Sequence, residues 1–154
     1  MRDCVVIKWG GSLITDKESM CTADLHIIKS LANIVKQCLD EDLDLIIVHG
    51  AGSFGHLRAK HWRLNEGLIE PNNIKIQSDC ENPKQAVNIV RKEMLTLNNE
   101  VSKALLELGL KVSIKPPHEW ARNTGSNFDG DVRKTFFDYQ DSICITFGDV
   151  VDCD

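Results

Sequence analysis

Three short glycine-bearing stretches hold most of the residues in this chain that can do chemistry. They are Lys8-Trp9-Gly10-Gly11-Ser12, His49-Gly50-Ala51-Gly52-Ser53-Phe54-Gly55-His56, and Gly148-Asp149. Glycine lets a ligand come close to the main chain, and bare N–H groups at such turns suit an anion such as phosphate. Lys8 and Lys17 flank the first stretch, and His49 and His56 bracket the second. Phosphoryl transfer needs this equipment, because fixed donors and cations stabilise the negative charge that spreads over the oxygens of the transition state. One glycine behind a strand makes a turn. Three clusters at one sheet edge, joined by two lysines, point to a phosphate site.

Other motifs compete for the same residues. Gly50-x-Gly52-x-x-Gly55 matches the dinucleotide fingerprint, but no second strand ending in an acidic residue follows about 20 residues on. Ala51-Gly52-Ser53-Phe54-Gly55 resembles a nucleophile elbow with alanine for the first glycine, yet the surroundings of Asp79 and His118 do not mark them as triad partners. The P-loop pattern is absent from the sequence, so a nucleoside triphosphate would have to be held in another way.

The elements that must position these loops are legible as periodicity. Residues 4–9, 43–48, 110–114 and 142–147 are short apolar runs that read as strands. Residues 23–39 and 84–108 carry apolar side chains at spacings of three and four, which predicts helices. Thr22 or Asp24 is the expected cap of the first, and Gly109 ends the second. Shorter helices are expected at 55–62 and 131–140, and a loop or hairpin at 121–131. Residues 63–83, with Pro71 and Pro83, form the least regular stretch. Strands alternating with helices predict an α/β fold, an αβα sandwich around a mainly parallel sheet whose strand ends face the ligand.

The chain has 154 residues, a net charge of −5, 42% hydrophobic and 27% charged residues. This is globular composition without the basic excess of a nucleic-acid binder. No apolar run approaches the about 18 residues of a membrane span. The six cysteines form no C-x-x-C pair. Cys4, Cys38 and Cys144 lie in apolar segments and read as buried thiols, so a reducing, cytoplasmic setting is expected. No metal ligands are assigned. His26, His61 and His118 read as surface or loop residues, and Trp9 is expected to pack on the sheet.

Taken together, Lys8-x-Gly10-Gly11-Ser12, Thr15-Asp16-Lys17, Val48 through His56 and Phe147-Gly148-Asp149-Val150-Val151 resemble the amino acid kinase superfamily and, within it, the isopentenyl phosphate kinase branch. The resemblance is most specific in the first 60 residues. It implies that Lys8, Gly10, Gly11, Ser12 and Gly52 contact the phosphates of ATP, and that Lys17 stabilises the transferring group. Ala51, His56 and Gly148 would contact the acceptor, and Asp149 would orient the lysines. The catalytic set is then Lys17, Lys8 and His56. Mg2+ and ATP are the implied cofactors, and a small phosphate is the substrate partner. The resemblance admits a homodimer.

The implied reaction belongs to isoprenoid biosynthesis: isopentenyl phosphate and ATP give isopentenyl diphosphate and ADP. The acceptor is already an anion, so holding two anions in line matters more than a general base. Phe54, Val90 and Met94 are candidate walls for an isoprenoid tail and equally candidate core. The family fold has two lobes, and residues 1–154 match the N-terminal, acceptor-binding lobe. The C-terminal nucleotide-binding lobe is absent from this sequence, which is expected to be a truncated or fragment form. A kinase of another phosphate or phosphonate, such as fosfomycin, and an inactive half-kinase that only binds are the alternative expectations.

Overall fold

In a computed structural model, which describes residues 3–39, 43–68, 80–137 and 142–153, each predicted strand appears within two residues of its expected bounds. The elements in chain order are β1 (Cys4–Trp9), α1 (Gly11–Ile14), α2 (Leu25–Leu39), β2 (Asp44–His49), α3 (His56–His61), α4 (Pro83–Glu107), β3 (Val112–Ile114), α5 (Pro117–Trp120), β4 (Ala121–Arg122), β5 (Asp129–Gly130), α6 (Val132–Phe137) and β6 (Ile143–Phe147). β1, β2, β6 and β3 form one sheet in that order, parallel throughout. β4 and β5 form the expected hairpin. The short α1 and α5 were not expected. Each is a single turn, too short to show a period. Most of the irregular stretch at 63–83 lies outside the described residues, as do 138–140 of the helix expected at 131–140.

Capping sets the ends of the long helices. The Asp24 carboxylate accepts the Ile27 N–H at 3.0 Å and starts α2, so Asp24 rather than Thr22 is the cap. Asn82 accepts the Gln85 N–H at 2.9 Å and Pro83 opens α4. At the far end Gly109 takes φ +78°, with Gly109 N bonded to Leu106 O and Leu110 N to Leu105 O. These paired bonds are a Schellman motif, which needs a left-handed residue at Gly109.

The alternating sides of the strands build different layers. Trp9, Leu45, Ile47, Ile143, Ile145 and Phe147 face α2 and α4 and form the main core with Ile28, Val35, Met94, Leu97 and Leu105. Trp9 is 2% exposed, as its expected packing required. On the other face Cys144 is buried beside α6, its Sγ 3.9 Å from the Phe136 carbonyl, while Val6 is 61% exposed. The second layer of the sandwich is therefore partial among the described residues. Cys4, expected to be buried, is exposed, because it begins the edge strand β1; Cys38 is half-buried and Cys144 buried.

Ile145 sits fully buried in β6, a central strand with β2 on one side and β3 on the other. Ile145→Ala is expected to lower stability by about 2–5 kcal/mol through the cavity it leaves, read as a lower midpoint in urea unfolding.

Candidate active site

The register of the sheet places three glycines side by side. Trp9 pairs with His49, and His49 with Phe147, so β1, β2 and β6 end at one level. The next residues are Gly10, Gly50 and Gly148. Gly50 N–H donates to the Trp9 carbonyl and Gly148 N–H to the His49 carbonyl, both at 2.9 Å, which extends the ladder one residue past the strands. Beneath this line the rings of Trp9, His49 and Phe147 are all buried. His49 and Phe147 stack with centroids 5.1 Å apart.

The first two loops touch main chain to main chain. A Cβ on Gly11 would lie 2.2 Å from Gly52 N, and one on Gly50 would lie 2.7 Å from Gly11 N. Gly52 has φ +54°, and its Cβ would meet the Thr15 hydroxyl at 2.1 Å and the Gly11 carbonyl at 2.4 Å. No side chain fits at these positions. The glycines are required by the approach of the loops to each other as well as by any ligand.

A cleft of about 410 Å³ opens over this contact. Of the expected site residues, Gly11, Ser12, Lys17, Ala51, Gly52 and His56 line it together. Lys17 and Ser12 come from the β1 side and His56 from the first turn of α3, so a cation and an imidazole from separate segments line one cleft with the two glycine loops. Sequence reasoning quoted Thr15 in a motif without giving it a role and missed Met20 and Leu57; all three also line the cleft. Met20 and Leu57 are exposed apolar side chains that carried no periodic signal. Phe54, Val90 and Met94, offered as walls for a tail, are buried in the main core and do not line the cleft.

Lys8 and Gly10 stand at the same sheet edge but outside the cleft lining. Lys8 lies on the strand face opposite to Ile7 and Trp9, and Gly10 caps α1. Gly148 is near the second loop, where a Cβ would lie 4.0 Å from Ala51 N. Asp149, expected to orient the lysines, is committed elsewhere. Its fully buried carboxylate lies 2.5 Å from His118 Nδ1 and accepts the Val150 N–H. His118, read from the sequence as an ordinary loop residue, sits on α5 and is that partner. Arg91 of α4 then holds the following segment, donating to the Val150 carbonyl and meeting the Asp152 carboxylate at 2.8 Å.

Polar side chains of α4 and α3 support the second loop from below. The Glu93 carboxylate accepts the Gly55 N–H at 2.8 Å and pairs with Arg58 at 3.0 Å. Both side chains are largely buried, and removal of either partner would leave the other charge uncompensated. His49 Nδ1 lies 3.1 Å from the Gly50 carbonyl, and Nε2 lies 3.2 Å from the Asn98 side-chain amide, which reaches Ser102 at 3.4 Å. Burial pushes the His49 pKa down, against these hydrogen bonds, so the neutral ring is favoured. A neutral imidazole has one N–H. That one proton can serve either oxygen the ring faces, the Gly50 carbonyl from Nδ1 or Asn98 Oδ1 from Nε2, while the Asn98 NH2 donates to the Ser102 hydroxyl. Glu93 and Asn98 fall on the stripe Val90–Met94–Leu97–Val101. Polar residues inside an apolar helical face were the signal that could have found them.

Two outcomes follow. Gly52→Ala is expected to destabilise by about 1–3 kcal/mol, from the left-handed backbone and the clash with Thr15, and to weaken binding of inorganic pyrophosphate by calorimetry. For His49, the folded pKa lies below the unfolded value of about 6.5. The unfolded chain therefore takes up the proton first, and stability falls as pH drops below that value. The urea midpoint is expected to decrease from pH 7.5 to pH 5.5, and His49→Gln to flatten that decrease.

Comparison with known proteins places this geometry. The family model described as "Amino acid kinase family" matches residues 3–140. The isopentenyl phosphate kinase of Thermoplasma acidophilum is 34% identical over 109 residues, 70% of this chain and 38% of the relative. That of Methanothermobacter thermautotrophicus is 28% identical over 151 residues, 96% of this chain and 53% of the relative. The crystal structure of the T. acidophilum enzyme in a product complex superposes with a TM-score of 0.72 at 27% identity, covering 96% of this chain and 55% of that one. The chain thus spans about half the length, or less, of the relatives it matches. With its parallel sheet, its paired glycine loops and a family match over most of its length, the chain belongs to the amino acid kinase family.

Proposed function

We propose that this chain is the acceptor-binding part of an isopentenyl phosphate kinase, which transfers the γ-phosphoryl group of ATP to isopentenyl phosphate. The observation that carries this reading is the single cleft shared by Lys17, His56 and the two touching glycine loops. The names of the relatives, which are isopentenyl phosphate kinases, support the choice of acceptor.

Each residue has work to do in that reaction. Gly11, Ser12, Ala51 and Gly52 line a common volume in which two phosphates would meet. Lys17 offsets the charge that gathers on the transferring group. His56 bonds the acceptor phosphate, and a protonated imidazole would do so with a charge-assisted bond. Holding both anions at this spacing supplies most of the catalysis, since the attacking oxygen is already ionised. The tight glycine cradle fits nucleotide phosphates. Among the described residues no three carboxylate, imidazole or thiol groups converge, so Mg2+ would arrive on the phosphates of ATP and neutralise part of their charge there. Met20 and Leu57 add apolar surface at the cleft mouth. Among the described residues no helix is long and apolar enough to cross a membrane. The buried free thiols of Cys80 and Cys144 suit a reducing cytoplasm.

The test is ATP-dependent turnover by the full-length protein. Isopentenyl phosphate is expected to yield isopentenyl diphosphate and ADP. Turnover of a phosphonate such as fosfomycin, with none of isopentenyl phosphate, would reassign the acceptor. His56→Ala and Lys17→Ala are each expected to slow turnover by about 10²–10³-fold. Both residues are exposed, so the thermal midpoint should stay close to wild type. A wild-type rate in His56→Ala sinks the assignment of that residue.

A further inference from the structure

We propose that Thr15 is a positioning residue whose hydroxyl sets the distance between the two glycine loops, and thereby between the phosphoryl donor and its acceptor. The catalytic half of this statement rests on the kinase reading above; the structural half does not. Thr15 lies 38 residues from Ser53 in sequence and is 4% exposed. Its Oγ1 donates to the Gly11 carbonyl at 2.8 Å and accepts the Ser53 N–H at 3.0 Å. One hydroxyl therefore bonds the first loop with its proton and the second loop with its lone pair. Trp9 and Gly50 are joined by a backbone hydrogen bond at the strand ends; beyond it the glycines meet through van der Waals contact, which limits approach but does not hold them together.

Thr15 also stands at the base of the loop that carries Lys17. Thr15 and Ala23 form an antiparallel bridge, and the Asp16 N–H donates to the Thr22 carbonyl at 2.9 Å. Residues 16–22 are thus a loop closed at its base by Thr15. The Ser53 carbonyl, accepting the Cys21 N–H at 3.2 Å, ties the far arm of that loop to the second glycine loop. Lys17 is carried on this loop at the cleft. Loss of the hydroxyl would leave the Gly11 carbonyl and the Ser53 N–H without this partner in a buried place. The second glycine loop would then keep its Gly50–Trp9 and Ser53–Cys21 bonds but lose the tie that fixes Ser53 against Gly11. In-line transfer is sensitive to displacements of about 1 Å.

Thr15→Val keeps the shape and removes the hydroxyl; Thr15→Ser keeps the hydroxyl. Amide hydrogen exchange by NMR reads the loop without any substrate. In the full-length protein the Ser53 amide is expected to exchange at least about tenfold faster in Thr15→Val and at the wild-type rate in Thr15→Ser. Turnover of isopentenyl phosphate is expected to fall about 10–100-fold in Thr15→Val, mostly in kcat, and to recover in Thr15→Ser. The proposal is overturned if Thr15→Val keeps wild-type exchange at Ser53, or exchanges faster yet turns over normally. It is also overturned if Thr15→Ser behaves like Thr15→Val, or if Thr15→Val fails to fold while Thr15→Ser folds, since the hydroxyl would then hold the whole fold rather than the loop spacing. Absence of turnover in the wild-type protein would defeat the kinase reading alone, and the exchange data would still judge the link between the loops.

Discussion

The backbone of Gly11 lies against the backbone of Gly52, and much of the site depends on that approach. A methyl group at either position would have to occupy space already filled by peptide atoms. Close-packed interiors do not yield by an ångström at low cost, so the contact is available only to residues without a Cβ. It brings peptide groups from two segments 41 residues apart against one another at the edge of the cleft.

The contact is built from below. Three parallel strands end in register at Trp9, His49 and Phe147. Their buried rings form a floor, and the ladder of hydrogen bonds continues one step beyond it to Gly50 and Gly148. The buried peptide groups of the turning chain need partners. His49 faces the Gly50 carbonyl, Glu93 serves the Gly55 N–H, and Thr15 serves both Gly11 and Ser53. The polar residues placed against the core are therefore the support of the loops. Two of these groups, the His49–Asn98–Ser102 chain and the Arg58–Glu93 pair, reach back to α4, so the longest helix braces the site as well as the core.

The third glycine stretch has a different character. Asp149 is buried and taken by His118, and the residues after it are clasped by Arg91. This stretch is fixed by α4 and α5, while the second is tied both to the first and to α4. Gly148 lies beside Ala51 as a neighbour in the ladder rather than as a wall of the cleft.

How much of this was legible beforehand follows from the range of each interaction. The strands, the two long helices, the parallel sheet and the glycine loops are written in local patterns: apolar runs of five or six residues, spacings of three and four, glycine behind three of the four strands. These patterns report burial of one face, which is a property of neighbouring residues, so the amino-acid sequence by itself determined them, together with Lys17 and His56 as a cation and an imidazole beside the loops. Tertiary structure alone decided the rest. Thr15 reads as an ordinary hydroxyl until Ser53 arrives from 38 residues away. Glu93 and Asn98 read as lapses in an apolar stripe until α3 and β2 lie across them. His118 reads as a loop residue until Asp149 is brought beneath it, and Cys4 as a core thiol until its strand is found at the sheet edge. In each case the partner is distant along the chain, and a hydrogen bond, unlike a hydrophobic face, leaves no period in the sequence from which its partner can be read.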